Sequence, residues 1–332
     1  MEIPVWVWFA FVGGVLGVLA LDLGVFNRKA HVVSIKEAAI WTSVWVALGL
    51  SFAGVMFVWQ GQHKGLEWLT AYLIEYSLAI DNIFVFVLVF GAFAVPPQDR
   101  HRVLFWGIVG ALAMRGTMIA LGAELIERFD WILYVFGGFL VLTGSRMLFS
   151  RKGERIDLEK NPAIRLARRA IPISQEYDAQ RFFTVHNGIR LATPLFLALV
   201  LIEFTDLIFA VDSIPAVFAI TTDRFTVFSS NVMAVLGLRS LYFLLSDIVE
   251  RFVYLKTGLA VILAFVGLKL LLVDVTTIPT VVSLGVVVSI LAISVMMSLV
   301  KTARKGLQRS MKPIVDALEI PDPNSRTDDL SV

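Results

Sequence analysis

The sequence contains no cysteine, and charged residues are scarce. Without cysteine these 332 residues cannot form a disulfide framework, a thiolate metal site or a cysteine nucleophile. Charged residues make up 17% of the chain, against roughly 25% in a soluble domain, whereas hydrophobic residues make up 58%. The mean hydropathy is +0.79. This composition argues against a soluble globular protein and predicts an all-α polytopic membrane protein.

Histidine is also rare. The four histidines all fall in predicted loops, at His31, His63, His101 and His186. Zinc and copper sites in proteins are built mainly from histidine and cysteine, so a site for a soft metal has little to rest on. No catalytic constellation is present either. We therefore expect neither an enzyme nor a permanently bound cofactor, and no nucleic-acid partner.

Nine apolar runs approach the 20 residues or so that a helix needs to cross the hydrocarbon core. The first carries Glu2 ahead of it rather than a basic segment and is too long for the core of a signal peptide, which predicts a retained helix. Nine spans form a helix bundle. The runs lie at about 4–26, 38–59, 66–95, 102–123, 130–149, 193–220, 228–249, 256–274 and 279–300.

Lysine and arginine alternate between the connecting segments. The segment after the first run carries Arg28, Lys29 and Lys36, whereas the segment after the second carries only Lys64. The positive-inside rule then predicts an external amino terminus and, after nine spans, a cytoplasmic carboxyl terminus. The long basic segment 150–192 falls on the cytoplasmic side in this scheme, where it would meet the solvent, anionic lipid or a regulatory partner.

The same pattern divides the chain into six parts. They are two N-terminal helices (1–65), a first repeat of three spans (66–149), a basic cytoplasmic linker (150–192), a second repeat of three spans (193–274), a ninth span with a basic end (275–312) and a disordered tail (313–332).

The repeats are recognised from two acidic motifs. Residues 75–83 match residues 206–214 as acid, three residues, Ala, Ile or Val, Asp, Asn or Ser, and Ile. The match continues beyond these motifs, where Arg115 in the first repeat corresponds to Arg239 in the second. Because three spans is an odd number, the two repeats must cross the membrane in opposite senses, as in many secondary transporters.

Ionisable groups at membrane depth are costly, at roughly 2.5–3.5 kcal/mol each on insertion scales, so this many acids favour a site that binds or moves charge. Carboxylate, amide, hydroxyl and carbonyl oxygens suit a hard divalent cation such as Mg²⁺, Ca²⁺ or Mn²⁺. Pro215 would free a backbone carbonyl near Val211 and break the helix beside the acids. The candidate metal ligands are Glu75, Asp81, Asn82, Glu203, Asp206, Asp212 and Ser213, supported by Asp22, Arg115 and Arg239.

A structural interpretation of these acids stays open beside the functional one. The acids could join helices through ion pairs with Arg115 and Arg239. Two arginines, however, leave about four of the six intramembrane acids uncompensated, and burial makes that excess costly. Asp22, near the end of the first run, could equally be a solvated helix-end residue.

Residues 75–86 and 203–218, together with Asp22-Leu23-Gly24-Val25-Phe26, make the chain resemble the TerC/Alx family of bacterial integral membrane proteins over roughly residues 5–300. The resemblance implies a bacterial inner-membrane location, an association with tellurium resistance and manganese export or homeostasis. By position it carries the motif acids onto Glu75, Asp81, Glu203, Asp206 and Asp212.

Together these observations predict a secondary transporter that exports a divalent cation, with Mn²⁺ as the expected ion and protons as exchange partners. Two alternatives remain. One is a membrane factor that assists the metalation or insertion of exported proteins without transporting anything, with 150–192 as its working surface. The other is a sensor of membrane stress or a factor in tellurium resistance.

Overall fold

The computed structural model describes residues 3–21, 33–129, 131–149, 162–174, 176–186, 188–246, 254–275 and 278–318. Its secondary structure is almost entirely helical. The elements are α1 Val5–Leu21, α2 Ile35–Gln60, α3 Gln62–Ala92, α4 Pro97–Arg128, α5 Ile132–Phe149, α6 Pro162–Ala170, β1 Phe183–His186, β2 Ile189–Ala192, α7 Pro194–Phe218, α8 Arg224–Leu236, α9 Leu238–Leu245, α10 Leu255–Leu271 and α11 Thr280–Leu318.

The predicted all-α polytopic membrane fold is confirmed, whereas the count of nine spans stays a prediction. Six described helices are long and apolar enough to cross a membrane. The pair α8 and α9, bent by 40° at Gly237, would make a seventh. Two further apolar helices are shorter: α1, and α10, whose apolar part is Thr257–Leu271. Many large side chains on the outer surfaces are apolar and exposed, as expected for helices that face lipid.

Helices α3 and α7 pack antiparallel at the centre of the bundle. The hydroxyl of Thr221, just past the end of α7, donates to Glu67 near the start of α3 at 2.8 Å. Fifteen residues further along α3 and fifteen residues back along α7, the amide of Asn82 donates to Asp206 at 3.1 Å. Equal steps in opposite directions define an antiparallel register. Glu75 and Ser213 lie midway in it, each eight residues from the first pair.

The expected helix break at Pro215 does not end α7, which continues as one helix to Phe218. Proline loses only one backbone hydrogen bond, and packing on both sides of α7 supports the helix there because residues 213–218 are all buried. The acidic helices therefore meet face to face. The described break lies instead at Gly237, two residues before Arg239.

Helices α5 and α10 approach each other through their small residues. A Cβ atom on Gly137 would lie 2.9 Å from the carbonyl oxygen of Gly267, and one on Gly144 would lie 2.6 Å from that of Ala260. Seven residues separate the two positions on each helix, so this pair is antiparallel too. Contact between backbones strengthens the dispersion attraction that holds helices together in lipid.

Part of the basic segment 150–192 is folded. After α6, strands β1 and β2 form an antiparallel hairpin that pairs Phe183 with Ala192, and Gly188 in its turn has a φ of 78°. Burial raises the pKa of the Tyr177 phenol, which therefore stays protonated and donates to the carbonyl of Phe93 at 2.6 Å. The segment is thereby held against the end of α3.

The carboxyl-terminal helix is longer than expected. We predicted disorder from residue 313, but α11 continues to Leu318. Pro313 therefore lies inside α11, and the division of the chain into six parts stays a prediction. The rest of the predicted tail, 319–332, lies outside the described residues.

Candidate functional site at the crossing of α3 and α7

Arg115 of α4 joins the two acidic helices. Its Nε and Nη2 atoms donate to Oδ2 and Oδ1 of Asp206, both at 3.0 Å. Its Nη1 atom donates to Oε2 of Glu75 at 2.9 Å. All three side chains are at most 3% exposed. This fork on Asp206 is the geometry that guanidinium and carboxylate groups adopt in their strongest pairs.

The centre also contains buried oxygens that no group satisfies. Of the seven buried side-chain oxygens that lack a hydrogen-bond partner among the described residues, three belong to this centre: Oε1 of Glu75, Oδ1 of Asn82 and Oγ of Ser213. Each of these residues is 1% exposed. A buried polar atom without a partner costs roughly 1–3 kcal/mol, so three in one region require an explanation.

The antiparallel register relates these oxygens to the hydrogen bond between Asn82 and Asp206. The sequence match pairs Asn82 with Ser213 and Glu75 with Asp206, so the equivalent of that bond would join Ser213 to Glu75. In the structure the first pair is bonded and the second is not. The two equivalent pairs therefore differ: Asn82 and Asp206 are hydrogen-bonded, whereas Glu75 and Ser213 each keep an oxygen without a partner.

The remaining predicted residues lie at different places. The carboxylate of Glu203 packs against Gly110 of α4, where a Cβ atom would overlap it. Asp212 accepts a hydrogen bond from Thr143 of α5 at 3.3 Å. Arg239 and Asp206 line the same narrow cleft, so this second arginine approaches the centre from α9.

Two predicted residues are not placed. Asp81 lies in α3, but its side chain is outside the described part of the structure, and Asp22 is outside it altogether. Among the described side chains, no three histidine, aspartate or glutamate groups lie close enough together to hold a metal ion. The described centre is thus an ion-paired cluster with open oxygen positions.

The three charged side chains of this cluster depend on one another for stability. Removing one partner of a buried ion pair leaves a charge in low dielectric and typically costs about 3–5 kcal/mol. Glu75, Asp206 and Arg115 together carry a formal charge of −1, so the cluster favours a further cation or a proton. Pairing with Arg115 also fulfils the structural role that the sequence left open for these two acids.

The sequence interpretation missed a second polar cluster. Glu67, 7% exposed, accepts from Lys64 at 2.9 Å as well as from Thr221, and lies 3.2 Å from Nδ1 of His63. Lys64 is three and His63 four residues before Glu67, a spacing at which helical side chains meet. This spacing is a local signal in the sequence for the contacts of Glu67 with His63 and Lys64. No sequence signal indicates the contact between Glu67 and Thr221.

The chain is similar to membrane proteins of several bacteria. It is 50% identical over 295 residues to an uncharacterized membrane protein of Myxococcus xanthus, covering 89% of this chain and 92% of that protein. It is 45% identical over 311 residues to Alx of Escherichia coli K12, which is named as a candidate membrane-bound redox modulator. The match covers 91% of this chain and 97% of that protein. A membrane protein of Rickettsia bellii is 36% identical over 294 residues, covering 89% and 97%.

No solved structure is significantly similar to the chain. Residues 60–306 match the family described as the integral membrane protein TerC family. This range contains both acidic helices, Arg115 and Arg239, and the resemblance inferred from the acidic motifs is confirmed. The chain belongs to the TerC family of integral membrane proteins.

Proposed function

We propose that this protein is a secondary transporter that exports a divalent metal cation, with Mn²⁺ as the expected substrate, through the centre formed by α3 and α7. The proposal includes a bacterial inner-membrane location, with the amino terminus outside and the carboxyl terminus in the cytoplasm. Charge alternation between the loops supports this orientation.

The observation that carries the proposal is the set of unpartnered oxygens beside the ion pair. Glu75, Asn82 and Ser213 offer carboxylate, amide and hydroxyl oxygens, which are hard ligands suited to Mn²⁺, Mg²⁺ or Ca²⁺. If all of these oxygens were held in hydrogen bonds, those bonds would have to break before the oxygens could bind a cation. Buried oxygens left open can instead exchange between cation, water and protein.

Arg115 has a specific part in this mechanism. It occupies Oε2 of Glu75 and both oxygens of Asp206, the atoms that a divalent cation would also attract. We propose that Arg115 acts as a resident counter-cation, holding the carboxylates ionised when the site is empty and giving way when the metal arrives. Two positive charges on the metal outweigh the single charge of the guanidinium at equal distance.

Proton exchange follows from the surplus of acids. Glu203 and Asp212 add two carboxylates that no arginine contacts in the described hydrogen bonds and ion pairs. Neighbouring carboxylates disfavour simultaneous ionisation, so protons would replace the metal as it leaves. An inward proton gradient would then drive export.

A second candidate is the non-transporting membrane factor. The observation that favours it is the folded segment 162–192, because a hairpin and an amphipathic helix could dock a partner protein. The relatives named as redox modulators suggest a redox role, but these 332 residues have no thiol with which to perform one. A contribution to tellurium resistance would be an indirect result of metal homeostasis, since the acidic centre would repel an oxyanion.

Flux measurements in proteoliposomes test the proposal directly. Vesicles loaded with Mn²⁺ and a pH dye should lose the metal while the lumen acidifies, and Mg²⁺ and Ca²⁺ measured in parallel establish the selectivity. Asp212→Asn, which leaves the Arg115 cluster intact, should abolish flux in a folded protein. Asp178→Asn, in an exposed ion pair of the linker, is the matched control and should transport normally. Equal flux in both variants would contradict the proposed site.

A further inference from the structure

An apolar groove of about 450 Å³ lies between α6 and the first half of α7. Its walls are entirely apolar and come from Pro162, Leu166, Ala167, Ile171, Phe196, Val200 and Phe204. Helix α6 is anchored beside it by Ile164, which is fully buried, whereas Leu166 is 70% exposed. A volume of this size and an apolar lining suit a flexible hydrocarbon chain.

One side of α6 is strongly basic. Successive residues are about 100° apart around a helix, which puts Arg165, Arg168 and Arg169 in a single sector. Pro162 and Leu166 lie directly next to this sector, so the arginines border the groove. All three are exposed, and none forms a hydrogen bond or ion pair with another described residue.

The hairpin adds a fourth arginine at the other wall. Phe196 packs against Phe183 with ring centroids 4.8 Å apart, and the guanidinium of Arg190 lies over the Phe183 ring at 4.5 Å. This cation–π contact fixes the direction of Arg190 while leaving it exposed. The groove therefore has basic groups on both sides of an apolar floor.

From this arrangement we infer that the groove is a binding site for an anionic phospholipid, with an acyl chain between α6 and α7 and the phosphate group held by the surrounding arginines. Exposed arginines attract anionic headgroups, and basic pockets between membrane helices commonly bind such lipids. The predicted orientation puts this surface in the cytoplasmic leaflet, which anionic lipids make negatively charged. Phe204, at the end of the groove, neighbours Glu203, so the lipid would contact the helix that carries the acids.

Native mass spectrometry of the full chain tests this inference, with phosphatidylglycerol and phosphatidylcholine added separately at equal concentration. We expect retention of phosphatidylglycerol over phosphatidylcholine. Arg169→Gln should weaken that retention roughly fivefold, and Arg165→Gln/Arg168→Gln/Arg169→Gln should weaken it further, since each arginine near a charged membrane contributes about 1 kcal/mol. Arg181→Gln, which removes one linker charge that already pairs with Asp178, should change it little.

A groove-filling variant separates a built site from simple attraction to a basic surface. Val200→Trp would occupy the acyl-chain position and should reduce phosphatidylglycerol retention while leaving every arginine in place. Melting temperatures without added lipid establish that each variant is folded. Retention that survives Val200→Trp, or that falls equally in Arg181→Gln and Arg169→Gln, would overturn the site and leave only non-specific charge attraction. Equal retention of both lipids would overturn it as well.

Discussion

Gly137 of α5 and Gly267 of α10 lie so close that a Cβ atom on either would reach the carbonyl oxygen of the other, at 2.9 and 2.7 Å. Such distances are shorter than any real Cβ contact, and backbone cannot move aside as a side chain can. The adjacent Gly138 has no atom within 4 Å of its hypothetical Cβ. These two neighbouring glycines therefore differ only in what they face.

The first prediction uses that difference. Gly137→Ala should destabilise the protein by about 1–3 kcal/mol, the usual cost of overpacking a close contact. Gly138→Ala should be neutral or stabilising by up to about 1 kcal/mol, because alanine favours helix over glycine. Thermal unfolding in detergent measures both. Equal melting temperatures for the two variants would contradict the close packing of α5 against α10.

The second prediction concerns Arg115. Arg115→Gln leaves the carboxylates of Glu75 and Asp206 buried without a counter-charge, and should destabilise the protein by about 3–5 kcal/mol. Adding Glu75→Gln and Asp206→Asn removes both charges and should restore most of the stability, but not metal flux. Unfolding measurements on the single and triple variants separate these outcomes. A triple variant less stable than Arg115→Gln would argue against the ion-paired centre.

A third prediction tests the packing of Glu203 on Gly110. Gly110→Ala introduces a Cβ into the space of the Glu203 carboxylate and should displace that side chain. It should therefore lower both stability and flux. In a Glu203→Ala background the space is free, and the same change should be neutral or mildly stabilising.

The comparison forms a double-mutant cycle, and we expect an interaction free energy of about 1–3 kcal/mol between the two positions. Independent, additive effects of Gly110→Ala and Glu203→Ala would show that the carboxylate does not lie against α4.

The fourth prediction addresses the contact between Thr221 and Glu67. Thr221→Val removes the hydroxyl that donates to a buried carboxylate and should cost about 1–3 kcal/mol, since that oxygen loses one of its partners. Thr117 donates to a carbonyl of its own helix on an exposed surface, so Thr117→Val serves as the control and should change stability by less than about 0.5 kcal/mol. Equal unfolding temperatures for the two variants would argue against the contact.

The residues of the centre could be found from the sequence because the chain contains the motif twice. Matching Glu75 to Asp206 and Arg115 to Arg239 identified the groups that the structure brings together. Their pairing could not be derived in this way, because whether Arg115 reaches one acid or both depends on how three helices cross. Asp212 shows the same limit, since its partner Thr143 belongs to the other half of the chain.

Local signals explain the differences in the fold. Pro215 is a strong helix breaker by itself, yet burial from residue 213 onwards keeps α7 continuous. The break at Gly237 has only a glycine to indicate it, and glycine is common in membrane helices. The hairpin in the linker did have a signal in Asn187-Gly188, a dipeptide that favours tight turns between strands, but the basic charge of the region favoured a loop interpretation.

The contact between α5 and α10 also sets an order on biosynthesis. Gly267 follows Gly137 by 130 residues, so at ordinary rates of translation the partner of α5 leaves the ribosome roughly 10 s after it. During that interval the glycine face of α5 lies against lipid or the insertion machinery. All of α5 is therefore synthesised before the helix that it packs against. A chain truncated before α10 should be recognised as unassembled and degraded.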